Sequence, residues 1–362
     1  MPPDEEIKLE VTDMNTGRKE IQRLSALALS LALLAGCGQG GSPAASSGGP
    51  ASGMGSASGS GASSGQGETY TIGVIQYMEH PAMDQCYEGF VQALKDNGYD
   101  NVVYDLQNGQ GDTTNLSTIA DRFVSHKVDM VLAIATDAAQ AIAGKTTEIP
   151  ILATAVTSYT VAGLVDSDEA PGGNLTGTSD MNPVAAQIQL IADLVPGVQT
   201  IGLAYNSSED NSVLQIKLAK EAIEAMGLAW TEVTITNSSE AQQAMLSLVS
   251  KCDAVYIPTD NTMASAMATV GGVTTEAKIP TVCGADTMVL EGGLATMGIN
   301  YYELGYQTGL MAIQVMQGAD PGQMPIQYAQ NSDAVTINGE IAEEIGYVVP
   351  EQYASCVVYP ES

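Results

Sequence analysis

Carboxylates and amides are the side chains best placed for chemistry in this sequence, and almost no base stands beside them. Twelve Lys and Arg face forty-two Asp and Glu, a formal charge of −30, and there are two histidines. Asn206 and Asn211 follow the apolar run Thr200–Tyr205, Asp260 and Asn261 follow Ala254–Ile257, and Asp286 follows Thr281–Cys283. Acids placed behind such runs suit an ammonium group, because a desolvated cation needs an opposite charge close by. A different chemistry follows Met130–Ala135, where Thr136-Asp137-Ala138-Ala139-Gln140 starts a helix with small residues. Free N–H groups there favour an anion, so Thr136, Ala138 and Gln140 form a candidate carboxylate site, provided that Asp137 points away. Gln76–Asp84 contributes Tyr77, which can stack on a ring, and Glu79 and His80 as a polar lip or a helix cap before Pro81. Asp180, in Gly177–Asn182, is a further carboxylate, or a cap for a helix starting near Pro183. Anion donors in one half and carboxylates in the other fit a zwitterion, and a free amino acid is one.

Catalysis is not indicated. Neither His80 nor His126 accompanies a nucleophile in a GxSxG-like setting, and no GxxxxGK[ST] loop is present. His126, at a polar helix end beside Lys127, reads as a partner for the helix dipole. No cofactor is implied. Cys86, Cys252, Cys283 and Cys356 form no CxxC and have no close His, so no metal site is expected; they are compatible with disulfides or with buried free thiols. The acidity excludes nucleic acid, which needs a basic stripe.

The elements that must position these residues are short β-branched runs alternating with amphipathic stretches. Strands are expected at Tyr70–Tyr77, Val102–Asp105, Met130–Ala135, Ile151–Thr154, Thr200–Tyr205, Thr231–Ile235, Ala254–Ile257 and Thr281–Cys283. Helices are expected at Met83–Asn97, Asn115–His126, Val213–Met226 and Ser239–Val249. Such alternation predicts an α/β fold with parallel sheets. The pattern also repeats at about 130 residues. Ile72-Gly73-Val74-Ile75 returns as Ile201-Gly202-Leu203-Ala204, Asp129-Met130-Val131 as Asp253-Ala254-Val255, and Ile149-Pro150 as Ile279-Pro280. Two Rossmann-like lobes are therefore expected, with ligand in the cleft beyond the carboxyl ends of their strands. Aromatic platforms are scarce: Trp230 opens a strand and reads as core, which leaves Tyr77 and Tyr159.

Ahead of the folded part, Arg18, Lys19 and Arg23 precede an apolar run from Leu24 to Leu34 and then Leu34-Ala35-Gly36-Cys37. The run is about eleven residues, short of the roughly twenty that span a bilayer. This looks like a bacterial lipobox, with residues 1–37 a lipoprotein signal peptide and Cys37 the thiol that accepts acyl chains such as palmitate. The acidic start, Pro3–Asp13, is foreign to a signal and places the true start at Met14. Residues 38–67, nearly all Gly, Ser and Ala, make a flexible tether of about 30 Å root-mean-square length. The expected location is the extracytoplasmic face of the cell membrane.

Residues 69–360 resemble the bacterial ABC-transporter substrate-binding proteins with the type I periplasmic-binding fold, in the lipoprotein branch associated with tryptophan, tyrosine or phenylalanine. The resemblance rests on Ile72–Pro81, Ala135–Gln140, Thr154–Thr157, Gly177–Asp180, Tyr205–Ser212, Pro258–Asn261 and Gly298–Gly305, in that order. It implies a monomeric clamp whose lobes are discontinuous: 68–182 plus about 300–328, and 183–299 plus about 329–362. It adds Thr157 to the ligand-binding set, implies an aromatic amino acid as ligand, and implies delivery to an ABC permease in the membrane. Asp137 departs from the family, which carries Pro after Thr in that loop. A ligand-sensing receptor using the same clamp, or capture of another amino acid, a sugar or a nucleoside, fits the same residues.

Overall fold

A computed structural model of the chain describes residues 69–330 and 334–360. Cys37, Met14 and the 38–67 tether lie outside the described residues. In the first part of the fold come β1 (Tyr70–Gln76), α1 (Pro81–Asp96), β2 (Val102–Asn108), α2 (Thr113–His126), β3 (Met130–Ile134), α3 (Thr136–Ala143), β4 (Ile151–Thr154) and β5 (Leu175–Ser179). Their strands lie side by side, all parallel, as β2-β1-β3-β4-β5. Helices cover both faces, so β3 can be apolar at every position, and all five of its residues are buried.

After β5 the chain crosses to α4 (Val184–Leu194) and repeats the plan. β6 (Thr200–Asn206), α5 (Asp210–Ala225), β7 (Ala229–Ile235), α6 (Ala241–Leu248), β8 (Ala254–Ile257), α7 (Asn261–Ser265), α8 (Met267–Ala277), β9 (Thr281–Cys283), α9 (Asp286–Leu290) and β10 (Ala295–Gly298) follow. The strand order β7-β6-β8-β9-β10 matches that of the first sheet. The repeat extends to single hydrogen bonds. Asp129 accepts the Thr71 N–H at 2.8 Å at the start of β1, and Asp253 accepts the Thr200 N–H at 2.9 Å at the start of β6. Likewise Val131 N–H reaches Pro150 O and Val255 N–H reaches Pro280 O, both at 2.9 Å.

The chain then returns through α10 (Tyr301–Met316) to β11 (Gln327–Tyr328), which pairs parallel with β5. It crosses a third time to β12 (Ala334–Asn338), α11 (Gly339–Ile345) and β13 (Val357–Val358). β12 runs antiparallel to β10, so the second sheet is not wholly parallel, a departure that the strand–helix alternation did not announce. β5 and β10 also escape a search for β-branched apolar runs, because Leu-Thr-Gly-Thr-Ser and Ala-Thr-Met-Gly are poor in them. Trp230 is not core: it is half-buried on the edge strand β7, donates to Glu224 and lies under the Lys220 ammonium at 4.2 Å. Tyr159 is no platform either, since it is fully buried with its hydroxyl on Ala153 O and Thr178 O. The four described cysteines are free thiols, Cys86 and Cys283 buried.

α10 is held against α1 by a backbone approach that only glycine allows. A Cβ on Gly89 would stand 2.0 Å from Tyr302 O, and one on Gly305 would stand 2.0 Å from Cys86 O. Each helix thus presses its backbone into the other, and the start of α10, carrying Tyr301, is fixed beside Cys86–Gly89 of α1. Gly305→Ala is expected to cost about 1–3 kcal/mol by overpacking and to lower Tm by several degrees. Gly272→Ala, whose added Cβ meets open space in α8, serves as the control and should not lower it. Equal melting of both variants and wild type would show that the helices can part without cost.

Candidate functional site

Strand order fixes where the site must lie. In each sheet the direction of winding reverses between the first and third strands, β1 and β3 or β6 and β8, and loops leaving such strands diverge to open a crevice. The loops concerned start at Tyr77, Ala135, Ser207 and Pro258. Between them is a narrow cavity. His80, Met83 and Asp180 reach it from the first-sheet side, Asn211, Asp260, Asn261, Thr287 and Met288 from the second, and Tyr301 from α10.

Glu209 organises the second-sheet side, although it is absent from the residues singled out by sequence. It is fully buried immediately before α5, caps nothing in its own helix and instead reaches the start of α7. Its two oxygens accept six hydrogen bonds: Oε1 from Thr262 N, Thr262 Oγ1 and Asn206 Nδ2, and Oε2 from Asn261 N, Asn261 Nδ2 and Asn211 Nδ2, at 2.7–3.4 Å. No cation takes part. The ion pairs found among the described residues, Arg122–Asp105, Lys145–Asp121 and Lys220–Glu232, involve none of these residues. Beside Glu209, Asp260 caps α7 through Met263 N at 2.8 Å and accepts the Asn206 N–H. Burial first, and the Glu209 charge second, raise the Asp260 carboxyl above the usual range. A glutamate ahead of a predicted helix reads as surface, and only its place in the β6 loop could have singled it out.

Asp180 is the carboxylate of the first-sheet side. It does not cap α4, whose first flanking residue is Pro183. It is buried, with Oδ1 accepting from Thr157 Oγ1 and Oδ2 from Tyr301 O–H, both at 2.9 Å. Burial outweighs those two bonds and raises its pKa. Each oxygen keeps a free lone pair, and the group faces the cavity.

His80 spans the cleft. It flanks α1 without capping it, and is buried with Nε2 3.2 Å from Asn261 Oδ1 on the opposite side. Tyr77 is buried as well, and its phenol lies near Thr262 and Glu209, outside the cavity wall. A second bridge runs from Gln140 Nε2 to Asp210 Oδ2 at 3.1 Å.

Of the residues expected to bind ligand, His80, Asp180, Asn211, Asp260 and Asn261 line the cavity, while Thr157 and Asn206 hold its carboxylates from behind. The remainder are placed elsewhere. Glu79 is exposed, Ala138 is buried beneath α3, and Thr136 faces a small separate space with Asp210 and Asn211. The start of α3 is also no anion site electrically. Asp137 is buried there with Glu209 and Asp210 near enough to raise its carboxyl to about 7, burial being the larger cause. Asp286 opens α9, accepts the Thr287 N–H at 2.7 Å and faces an outer depression shared with Asn300 and Glu303, not the cavity. Sequence reasoning missed Met83, Met288, Thr287 and Tyr301, because apolar and hydroxyl residues at helix starts carry no distinctive pattern.

The family model for "ABC transporter substrate binding protein" matches residues 71–357. A tyrosine-binding protein of Clostridioides difficile is 41% identical over 73% of this chain and 77% of its own length. An ABC domain from Streptococcus pneumonia, solved in complex with L-Trp, is 37% identical and superposes with a TM-score of 0.77 over 80% of this chain and 100% of that one. A ligand-free, open substrate binding protein with adhesive properties from Clostridium difficile is 40% identical over 81% and 100%, yet its TM-score is 0.63. Members of this family work outside the cytoplasm, and among the described residues no helix is long and apolar enough to cross a membrane. The chain belongs to the ABC transporter substrate binding protein family and has its type I periplasmic binding fold.

Proposed function

We propose that this protein captures an aromatic amino acid between two lobes, 68–182 with about 300–328 and 183–299 with about 329–362, and passes it to an ABC permease. The observation that carries this reading is the cavity wall. It combines buried carboxylates that no Lys or Arg neutralises with an apolar face of Met83, Met288 and several alanines. A ligand that brings its own cation and a large apolar group answers both features. The α-ammonium sits on Asp180, which lines the cavity, and the Thr287 hydroxyl, buried without a partner, meets the α-carboxylate. Methionine packs well against rings through its polarisable sulfur. The relatives that bind tyrosine and L-Trp support the same ligand class. Reversible binding without chemistry is the activity that this reading assigns.

Titration of the purified protein with the twenty amino acids tests this reading. L-Tyr, L-Trp and L-Phe should raise Tm, by an amount equivalent to about 2.7 kcal/mol at a hundredfold excess over Kd. Asp180→Asn should weaken binding about thirtyfold or more, as expected for removing one member of a buried charge pair, whereas Asp286→Asn should change it less than about threefold. No response to any aromatic amino acid at millimolar concentration would remove the assignment.

Asp137 is buried with the Glu209 and Asp210 carboxylates close enough to act on it. A carboxyl raised in the folded state retains a proton that the unfolded chain has released. Its contribution to stability is therefore full below about pH 4 and is lost as pH rises to about 7. Thermal melts of Asp137→Asn should accordingly gain on wild type between about pH 4 and 7, by at most about 4 kcal/mol. Parallel curves over that range would mean that Asp137 does not feel those charges.

Anchoring is a separate matter. We infer that Cys37 is acylated and that the 38–67 tether leashes the clamp to the outer membrane surface near its permease. Cys37→Ser should move the protein from the membrane to the soluble fraction and leave ligand affinity unchanged. Persistent membrane association would point to another anchor.

A further inference from the structure

A chain of hydrogen bonds fixes which nitrogen of His80 carries its proton. Asn261 Nδ2 donates to Glu209 Oε2 at 2.8 Å, and the Asn261 N–H donates to the same oxygen at 2.9 Å. A carboxylate accepts only, so the amide cannot be reversed without setting oxygen against oxygen. Asn261 Oδ1 therefore points at His80, and at 3.2 Å from Nε2 it requires that nitrogen to be the donor. The ring is buried, and burial holds it below its ordinary pKa despite the opposing charges of Glu209 and Asp84, the carboxylates that act on it. Neutral imidazole protonated on Nε2 has a bare lone pair on Nδ1. That atom is buried without a partner, on a residue that lines the cavity.

We propose that His80 Nδ1 is a specificity-determining acceptor, which receives a hydrogen bond from an N–H or O–H of the captured ligand. The inference rests on the cavity being the ligand site. The donor is either the α-ammonium or the side-chain group of the ring, a phenol O–H or an indole N–H. Both offer the same chemistry to the lone pair, while a buried acceptor left unmet disfavours a ligand without a donor there. Glu209 acts through Asn261 as a positioning residue and touches no ligand.

The protein has two histidines, so nitrogen-15 NMR of histidine-labelled protein resolves this ring directly. At neutral pH the free protein should show His80 neutral, protonated on Nε2, with a bare Nδ1. L-Tyr should then move the Nδ1 resonance toward the hydrogen-bonded range. Glu209→Gln releases the Asn261 amide and should admit the other tautomer. An Nδ1–H tautomer or an imidazolium in the free protein would overturn the proposal, and so would an Nδ1 resonance indifferent to bound ligand. In calorimetry, His80→Phe should lower affinity about five- to a hundredfold. Equal losses for L-Tyr and L-Phe identify the ammonium as donor, a greater loss for L-Tyr identifies the phenol, and no loss for either rejects the acceptor role. Wild type that binds no aromatic amino acid would defeat the ligand assignment instead, while the tautomer of the free protein would still be read.

Discussion

A carboxylate buried without a cation is the interaction on which the cleft depends. Glu209 is satisfied by six neutral donors, supplied by Asn206, Asn211, Asn261 and Thr262 on that side. Burying a charge costs several kcal/mol unless such bonds surround it, and the same bonds make the surroundings rigid. The loops after β6 and β8 are therefore tied to each other rather than to solvent. The side chains that line the cavity from this side, Asp260, Asn211 and Asn261, have their orientations imposed from behind.

Two copies of one strand order face each other here, but they have not remained chemically equal. The structural ties are shared, as Asp129 and Asp253 show at equivalent strand starts. The loops have diverged: the β6 loop carries Glu209, while its first-sheet counterpart carries His80, and the two residues communicate through Asn261. A repeated frame with unlike rims thus lets one cleft offer different chemistry from its two walls.

The frame was legible in the sequence because strands buried on both faces must be apolar and β-branched, and because the repeat doubled the signal. β5 and β10 were not, since Leu-Thr-Gly-Thr-Ser and Ala-Thr-Met-Gly carry Thr and Gly where an apolar run would have announced a strand. For the cleft, residue type was informative where a polar side chain followed a strand, as with His80, Asp180 and Asp260. It failed where position along the strand end decided the outcome. Asp286 and Thr287 are neighbours, yet the first faces an outer depression and the second the cavity, a difference set by one step around α9. The start of α3 looked like an anion site by local chemistry, and the charges that reverse it, Glu209 and Asp210, come from more than seventy residues away.

The glycine contact between α1 and α10 has a consequence beyond stability. His80 immediately precedes one helix and Tyr301, the partner of Asp180, opens the other. Two helices pressed backbone to backbone cannot slide past one another, so the separation between the His80 end and the Asp180 end of the cavity is set before any guest arrives. This side of the cleft works as a gauge of fixed length, faced across the cavity by Asn261, Thr287 and Met288.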